Sequence, residues 1–260
     1  MPTPFTHLQI AQRLLKDPHI SPAFSSLLNE QRSAFLLGSI AADARVSSNI
    51  SRSDTHFYRY DDPLREHPWR VMMANYPTLE HAHDDAHRAF LAGYVAHLTV
   101  DEVWTKDMLR TWFFDREWGP DDRFRFLMLH VLLIYMDERD YGLLEGWHAD
   151  SLVAAQPNDW LPFMSSDDLK AWRDFIAIQL THGSKTLDVL GERIKRSPEE
   201  LRAILDSPDR LQADLWNHVA PDTLVQVESA MYTASRDEML VYLEDFSVYS
   251  SQLSGKTRQE

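Results

Sequence analysis

Ala89-Phe90-Leu91-Ala92-Gly93-Tyr94-Val95-Ala96-His97-Leu98-Thr99-Val100-Asp101-Glu102-Val103-Trp104 is the stretch of this 260-residue chain on which the fold turns. Its apolar residues recur at helical rather than alternating spacing. Extended toward the N-terminus, positions 83, 87, 90, 94, 97 and 101 step alternately by four and three. His83, His87, Phe90, Tyr94, His97 and Asp101 therefore share one face of a helix running from about Thr78 to at least Trp104. The step from His97 to Asp101 sets an imidazole and a carboxylate one turn apart on that face. A carboxylate on an apolar helix is costly unless a metal or a hydrogen-bonded cation compensates it. A buried His97–Asp101 pair meets that requirement as a shared metal ion does, so spacing alone leaves both open.

Working outward, a first helix starting at Thr6 carries His7, Ile10, Ala11, Leu14 and Leu15 on one face before Pro18 stops it, which points His7 inward. A second, from about Pro22 to Ala42, puts Leu36, Ile40 and Asp43 in one row, so an acid closes an apolar stripe. The segment 44–77 has no sustained periodicity, holds His56 among Phe57, Tyr58, Tyr60 and Trp69, and suits a long functional loop. Downstream, helices are expected near 121–139, 166–182, 198–218 and 221–248, with Trp147, Trp160, Trp172 and Trp216 as packing anchors. These patterns predict an all-α, multi-helix bundle forming one domain over residues 1–260. The metal-site half covers about 1–115, a second helical half 116–260, and the loop around 150–165 is the candidate boundary.

Composition narrows the chemistry. Eight glycines in 260 residues fall below half the usual share of roughly 7%, which argues against Gly-rich nucleotide-binding turns and many-stranded barrels. The absence of cysteine excludes disulfides, thiolate zinc sites and thiol nucleophiles, so any metal must sit on His and carboxylates. Forty acidic residues against 26 basic ones, a formal charge of −14, disfavour binding to nucleic-acid duplexes and to anionic bilayers. Met1-Pro2-Thr3-Pro4 lacks the pattern of a secretory signal, and the longest apolar run, near 126–136, is about half the ~20 residues of a membrane span. A cytoplasmic protein that is not an integral membrane protein is the expectation.

Four motifs in order complete the reading: Pro4-Phe5-Thr6-His7-Leu8, Phe35-Leu36-Leu37-Gly38-Ser39-Ile40-Ala41-Ala42-Asp43, Thr55-His56-Phe57, and the helix from Ala89 to Trp104. Over roughly residues 2 to 105 the chain resembles the zinc-dependent phospholipase C family, whose helical fold is shared with secreted single-strand nucleases. The resemblance implies that Asp43, His56, His97 and Asp101 hold one Zn²⁺ and that His7 with a shared Asp101 holds a second, so one or two zinc ions are expected. In secreted members a free N-terminal amine completes the second site after signal removal; this sequence departs from them, with no processed signal expected and His7 closer to its start, so ligation by Met1, or by Pro2 after loss of Met1, stays open. The secreted members' third set, two further His and a Glu, has no counterpart that can be placed. His130 and His148 are the next histidines, and neither is followed by Glu four residues on.

The implied chemistry is hydrolysis of a phosphodiester or phosphomonoester by metal-activated water, with Asp43 as general base and a small phosphoester or phospholipid-like molecule as substrate. A non-catalytic helical protein with a structural metal or a partner-binding role is the alternative. An HD-type metal phosphohydrolase built on His83-Asp84 is a weaker one, since it leaves His7, Asp43 and His97 unexplained. In that cluster His81 and His83 are expected to face solvent, with His87 the member nearest the metal pocket. Arg65, Arg70 and Arg88 are candidate phosphate clamps, and Trp112-Phe113-Phe114 with Trp118 reads as core or interface.

Overall fold

The structure is a computed structural model that describes residues 1–256 apart from 47, 49 and 62, with side chains described through residue 245. Helices α1 (Pro4–Leu14), α2 (Pro22–Glu30), α3 (Arg32–Ala41), α4 (Arg52–His56), α5 (Pro68–Asn75) and α6 (Asp85–Val103) build the N-terminal part. They are followed by α7 (Asp122–Leu143), α8 (His148–Ala154), α9 (Ser166–His182), α10 (Thr186–Ile194), α11 (Pro198–Leu205), α12 (Pro208–Leu211) and α13 (Pro221–Lys256). Among the described residues no strand forms; the nearest approach is an isolated bridge between Leu161 and Met164. The expected all-α architecture is therefore observed. Among the described residues no helix is long and apolar enough to cross a membrane.

Several boundaries differ from expectation for local reasons. Helix α1 begins at Pro4, whose missing N–H costs nothing in a first turn, so Thr6 lies inside the helix and its hydroxyl donates to Asp140 Oδ2 at 2.7 Å. The expected 22–42 helix is broken at Gln31, whose backbone (φ −103°, ψ 28°) leaves the helical region. Asp43 then falls in a 3₁₀ turn, Ala42–Val46, rather than on the end of a continuous α-helix. The segment 44–77 is not a bare loop, because α4 and α5 form within it. Helix α6 starts at Asp85, not at Thr78, since Pro77–Glu80 closes as a separate 3₁₀ turn. Asp84 caps α6, its carboxylate accepting from the His87 backbone N–H at 2.8 Å. Helices α8 and α10 were not anticipated.

Helix α6 is the axis of the molecule. Every residue from Ala89 to Glu102 is buried, which marks a helix enclosed on all sides rather than an amphipathic one. It crosses α3 at a distance that tolerates no side chain. A Cβ on Gly38 would lie 1.9 Å from the Phe90 carbonyl oxygen, and one on Gly93 would lie 2.2 Å from that of Phe35. Beyond Val103 the chain continues as a π-helical stretch, Trp104–Phe114, whose wider turn keeps Trp104, Thr105 and Met108 inside. A connected cluster of buried apolar residues runs from Phe5 to Leu243 and joins the two halves of the chain.

Candidate metal centre

The five side chains singled out from sequence come together where α1, the 3₁₀ turn after α3, the end of α4 and the middle of α6 meet. His7, His56, His97 and Asp101 are almost fully buried, and Asp43 keeps a side-chain exposure of 16%. Asp101 is at the centre. Its Oδ1 lies 3.4 Å from His7 Nε2, while Oδ2 lies 3.1 Å from His56 Nε2 and 3.7 Å from His97 Nε2. Asp43 Oδ1 is 3.5 Å from His56 Nε2. Donor atoms converge in two overlapping groups: His7, His97 and Asp101, and Asp43, His56 and His97.

Hydrogen bonds on the outer side of the rings set which nitrogen faces inward. His97 Nδ1 lies 2.9 Å from the Ser39 carbonyl oxygen, which can only accept, so Nδ1 carries the proton and Nε2 presents a bare lone pair. His56 Nδ1 lies 2.8 Å from the Thr55 hydroxyl, which donates onward to the Arg52 carbonyl oxygen, so the same tautomer follows. His7 Nε2, His56 Nε2, His97 Nε2 and Asp101 Oδ1 have no hydrogen-bond partner despite their burial. Lone pairs of imidazole and carboxylate converging without a proton between them are mutually repulsive, and a divalent cation is the group that relieves this. The donor set fits zinc in kind, being nitrogen and carboxylate oxygen.

The electrostatics agree. Burial, with the neighbouring His7, pushes His97 down to about 3, so the ring is neutral. Burial would raise the carboxyls of Asp43 and Asp101; positive charge or a donated proton among the imidazoles overrides it and holds both well below the usual carboxylate range, and with bare Nε2 atoms a cation at the centre would take over that role. The Met1 amine is enclosed beside the cluster, and burial brings it down to about 6 against the pull of Asp101.

Residues 6–104 match the zinc dependent phospholipase C family. All five side chains of the centre lie inside that segment. The family is helical and implies zinc, and the His and carboxylate donors here could hold such an ion. No curated protein and no solved structure matches the chain.

Around the phospholipase C-like centre the structure adds residues that sequence reasoning missed. Arg52 Nη2 lies 3.3 Å from Asp101 Oδ2, and its guanidinium sits over the rings of Tyr58 and Tyr60 at 4.4 and 4.2 Å. Tyr58 donates to the Asp101 carbonyl oxygen at 3.1 Å and lies 2.8 Å from the Thr105 hydroxyl. The available signal was position alone: Arg52 precedes His56 by four residues, one turn of α4.

Other expectations are corrected. His87 is satisfied elsewhere: it accepts from the His83 backbone N–H at Nδ1 and donates through Nε2 to the Trp160 carbonyl oxygen at 2.8 Å, leaving no lone pair for a metal. Asp84 is spent as the cap of α6, which gives His83-Asp84 a structural role, while His81 and His83 are exposed as expected. Arg88 donates to the Leu243 carbonyl oxygen and exposed Arg70 lies over the Trp69 ring, so neither serves the centre. His130 and His148 direct Nδ1 to the carbonyls of Phe126 and Glu145, away from it. Trp160 and Trp172 are core anchors, whereas Trp147 and Trp216 are only half-buried.

Proposed function

We propose that this chain is a zinc-dependent phosphoester hydrolase in which His7, Asp43, His56, His97 and Asp101 hold one or two zinc ions, with Asp101 facing both positions. The observation that carries this reading is the convergence of three partnerless imidazole Nε2 atoms on a buried carboxylate with a partnerless oxygen. Zinc bound there supplies Lewis acidity toward a phosphoryl oxygen and brings water within reach of deprotonation near pH 7.

The chain's own residues supply the rest. Asp43 lines a cavity of about 110 Å³ that leads inward from the surface, so it is the carboxylate of the cluster a substrate can reach. Ionised at neutral pH, it is placed to take the proton of the attacking water at its carboxylate oxygen. Ser39 and Thr55 hold the His97 and His56 rings in the tautomer that leaves Nε2 free. Tyr58, whose phenol is pushed far up by burial, stays protonated and fixes the backbone at Asp101. The cavity also speaks against a purely structural metal, since a closed site would have no need of a solvent-facing carboxylate.

Metal analysis of the purified protein together with Asp101→Asn and His97→Ala tests the reading, run beside hydrolysis of bis(p-nitrophenyl) phosphate and p-nitrophenyl phosphate. Zinc is expected in the parent, lost in both variants with the helical spectrum intact, and required for hydrolysis. Zinc content unaffected by both substitutions would sink the ligand assignment. Stoichiometric zinc with no hydrolysis across a phosphoester panel would favour the non-catalytic alternative.

A further inference from the structure

The cavity that ends at Asp43 has a mouth of unusual charge for this molecule. In a chain of net charge −14, Arg45, Arg52 and Arg193 all line it, together with Tyr60 and Trp172. Among the described residues that line it, Asp43 is the one carboxylate, and it faces the zinc positions, while Arg52 is paired with Asp101 behind it. The Nε atoms of Arg45 and Arg52 are buried without a hydrogen-bond partner. Burial raises the Tyr60 phenol to about 12, which makes it a further donor at neutral pH.

These groups suit one kind of ligand. One face each of Tyr58 and Tyr60 is taken by the Arg52 guanidinium, whose positive charge opposes a quaternary ammonium beside them. A volume of about 110 Å³ is well below the 300–1,000 Å³ typical of drug-sized ligand pockets, so the mouth admits a compact group rather than an acyl chain. Planar guanidiniums recognise phosphate and carboxylate by paired, charge-assisted hydrogen bonds. We propose that Arg45 and Arg193, with the charge of Arg52 held behind them by Asp101 and Tyr58, bind a second anionic group of the substrate, so that the preferred phosphoesters are polyanionic and zwitterionic choline esters are rejected. This rests on the hydrolase reading and names its substrate class. The second anion is a phosphate or carboxylate, carried by a soluble phosphoester or by the headgroup of an anionic lipid.

The test uses zinc-loaded full chain and three phosphonates that a phosphoester hydrolase cannot cleave: phosphonoacetate, methylphosphonate and 2-aminoethylphosphonate. Calorimetry should show phosphonoacetate binding at least tenfold tighter than 2-aminoethylphosphonate. In Arg45→Gln/Arg193→Gln that ratio should collapse toward one with zinc content unchanged. Arg193 is exposed, so Arg193→Gln alone keeps the fold and should already lower the ratio several-fold. Vesicles separate the two sources. Co-sedimentation with phosphatidic acid but not phosphatidylcholine, lost in the double variant, assigns the anion to a lipid headgroup. Selective phosphonoacetate binding without co-sedimentation assigns it to a soluble phosphoester. Equal affinity for the three phosphonates, or a ratio untouched by the substitutions while zinc stays bound, overturns the arginine proposal alone. A parent protein that takes up no zinc overturns the hydrolase reading and this one with it.

Discussion

The imidazole rings of His7 and His97 stack, their centroids 3.9 Å apart and their planes 13° from parallel. One ring comes from α1 and the other from α6, and neither Nε2 has a hydrogen-bond partner. Two charged imidazolium rings at that separation would repel; burial holds His97 neutral, and its Nε2 lone pair is directed to the same place as His7 Nε2. A cation bound there would tie the N-terminal helix to the central one.

Metal removal should therefore be read in stability as well as activity. Zinc that binds the folded chain stabilises it by about 2.7 kcal/mol at a hundredfold excess over Kd. A chelator should lower the Tm of the parent by several degrees and leave that of His97→Ala unchanged. Identical melting of the parent with and without chelator would contradict a metal shared between α1 and α6.

Thr55→Val removes the acceptor that orients His56 while keeping the side chain's size. Outer partners of this kind are typically worth 10- to 100-fold in metal affinity. Zinc affinity of Thr55→Val, measured by competition with a chromogenic chelator, should fall by about that factor, with the metal-free Tm little changed. An unaltered affinity would show that the His56 ring is held by packing alone.

Gly93→Ala forces a methyl group to within 2.2 Å of the Phe35 carbonyl oxygen, backbone that cannot swing aside. Separation of α3 from α6 is the outcome, at a cost of about 3 kcal/mol or more. Because the same crossing holds Ser39 to His97, zinc affinity should fall together with stability. Urea denaturation and zinc titration of the variant check both effects.

Asp137 titrates in the opposite sense from most carboxylates here. Burial raises it to about 6, despite the Ser184 hydroxyl that donates to Oδ2 at 3.0 Å. The folded state then holds its proton more tightly than the unfolded chain, so stability is greatest below the unfolded value near 4. It declines as pH rises to about 6 and stays lost above. Asp137→Asn should remove this decline and stabilise the protein on the order of 1–2 kcal/mol at pH 7–8. Urea midpoints at pH 4.5, 6 and 8 decide it, parallel profiles for the two proteins being the contrary result.

Much of this was readable in the chain. The four-three stepping of apolar residues around His97 and Asp101 marks a buried helix with ligand-type side chains on it, because period and chemistry are both local properties. The placement of His7 inward and the lack of thiol ligands are readable for the same reason. The boundaries were less so. The break at Gln31, the 3₁₀ turn that carries Asp43, and α4 within an apparent loop depend on tertiary packing, of α3 and that turn against α6 and α9 and of α4 against the turn, which outweighs weak local preference.

What only the tertiary structure decided is the company these residues keep. His87 lies on the same face of α6 as His97, and sequence cannot distinguish them. The fold gives one a backbone N–H and the Trp160 carbonyl, and leaves the other with an unsatisfied nitrogen. The arginines expected to clamp phosphate, Arg70 and Arg88, point elsewhere, while Arg45, Arg52 and Arg193 reach one cavity from positions far apart in the chain. Residue type and spacing determined which ligand chemistry was available. Which donors lost every other partner was settled by three-dimensional packing, since desolvation and convergence are properties of neighbours rather than of neighbours in sequence.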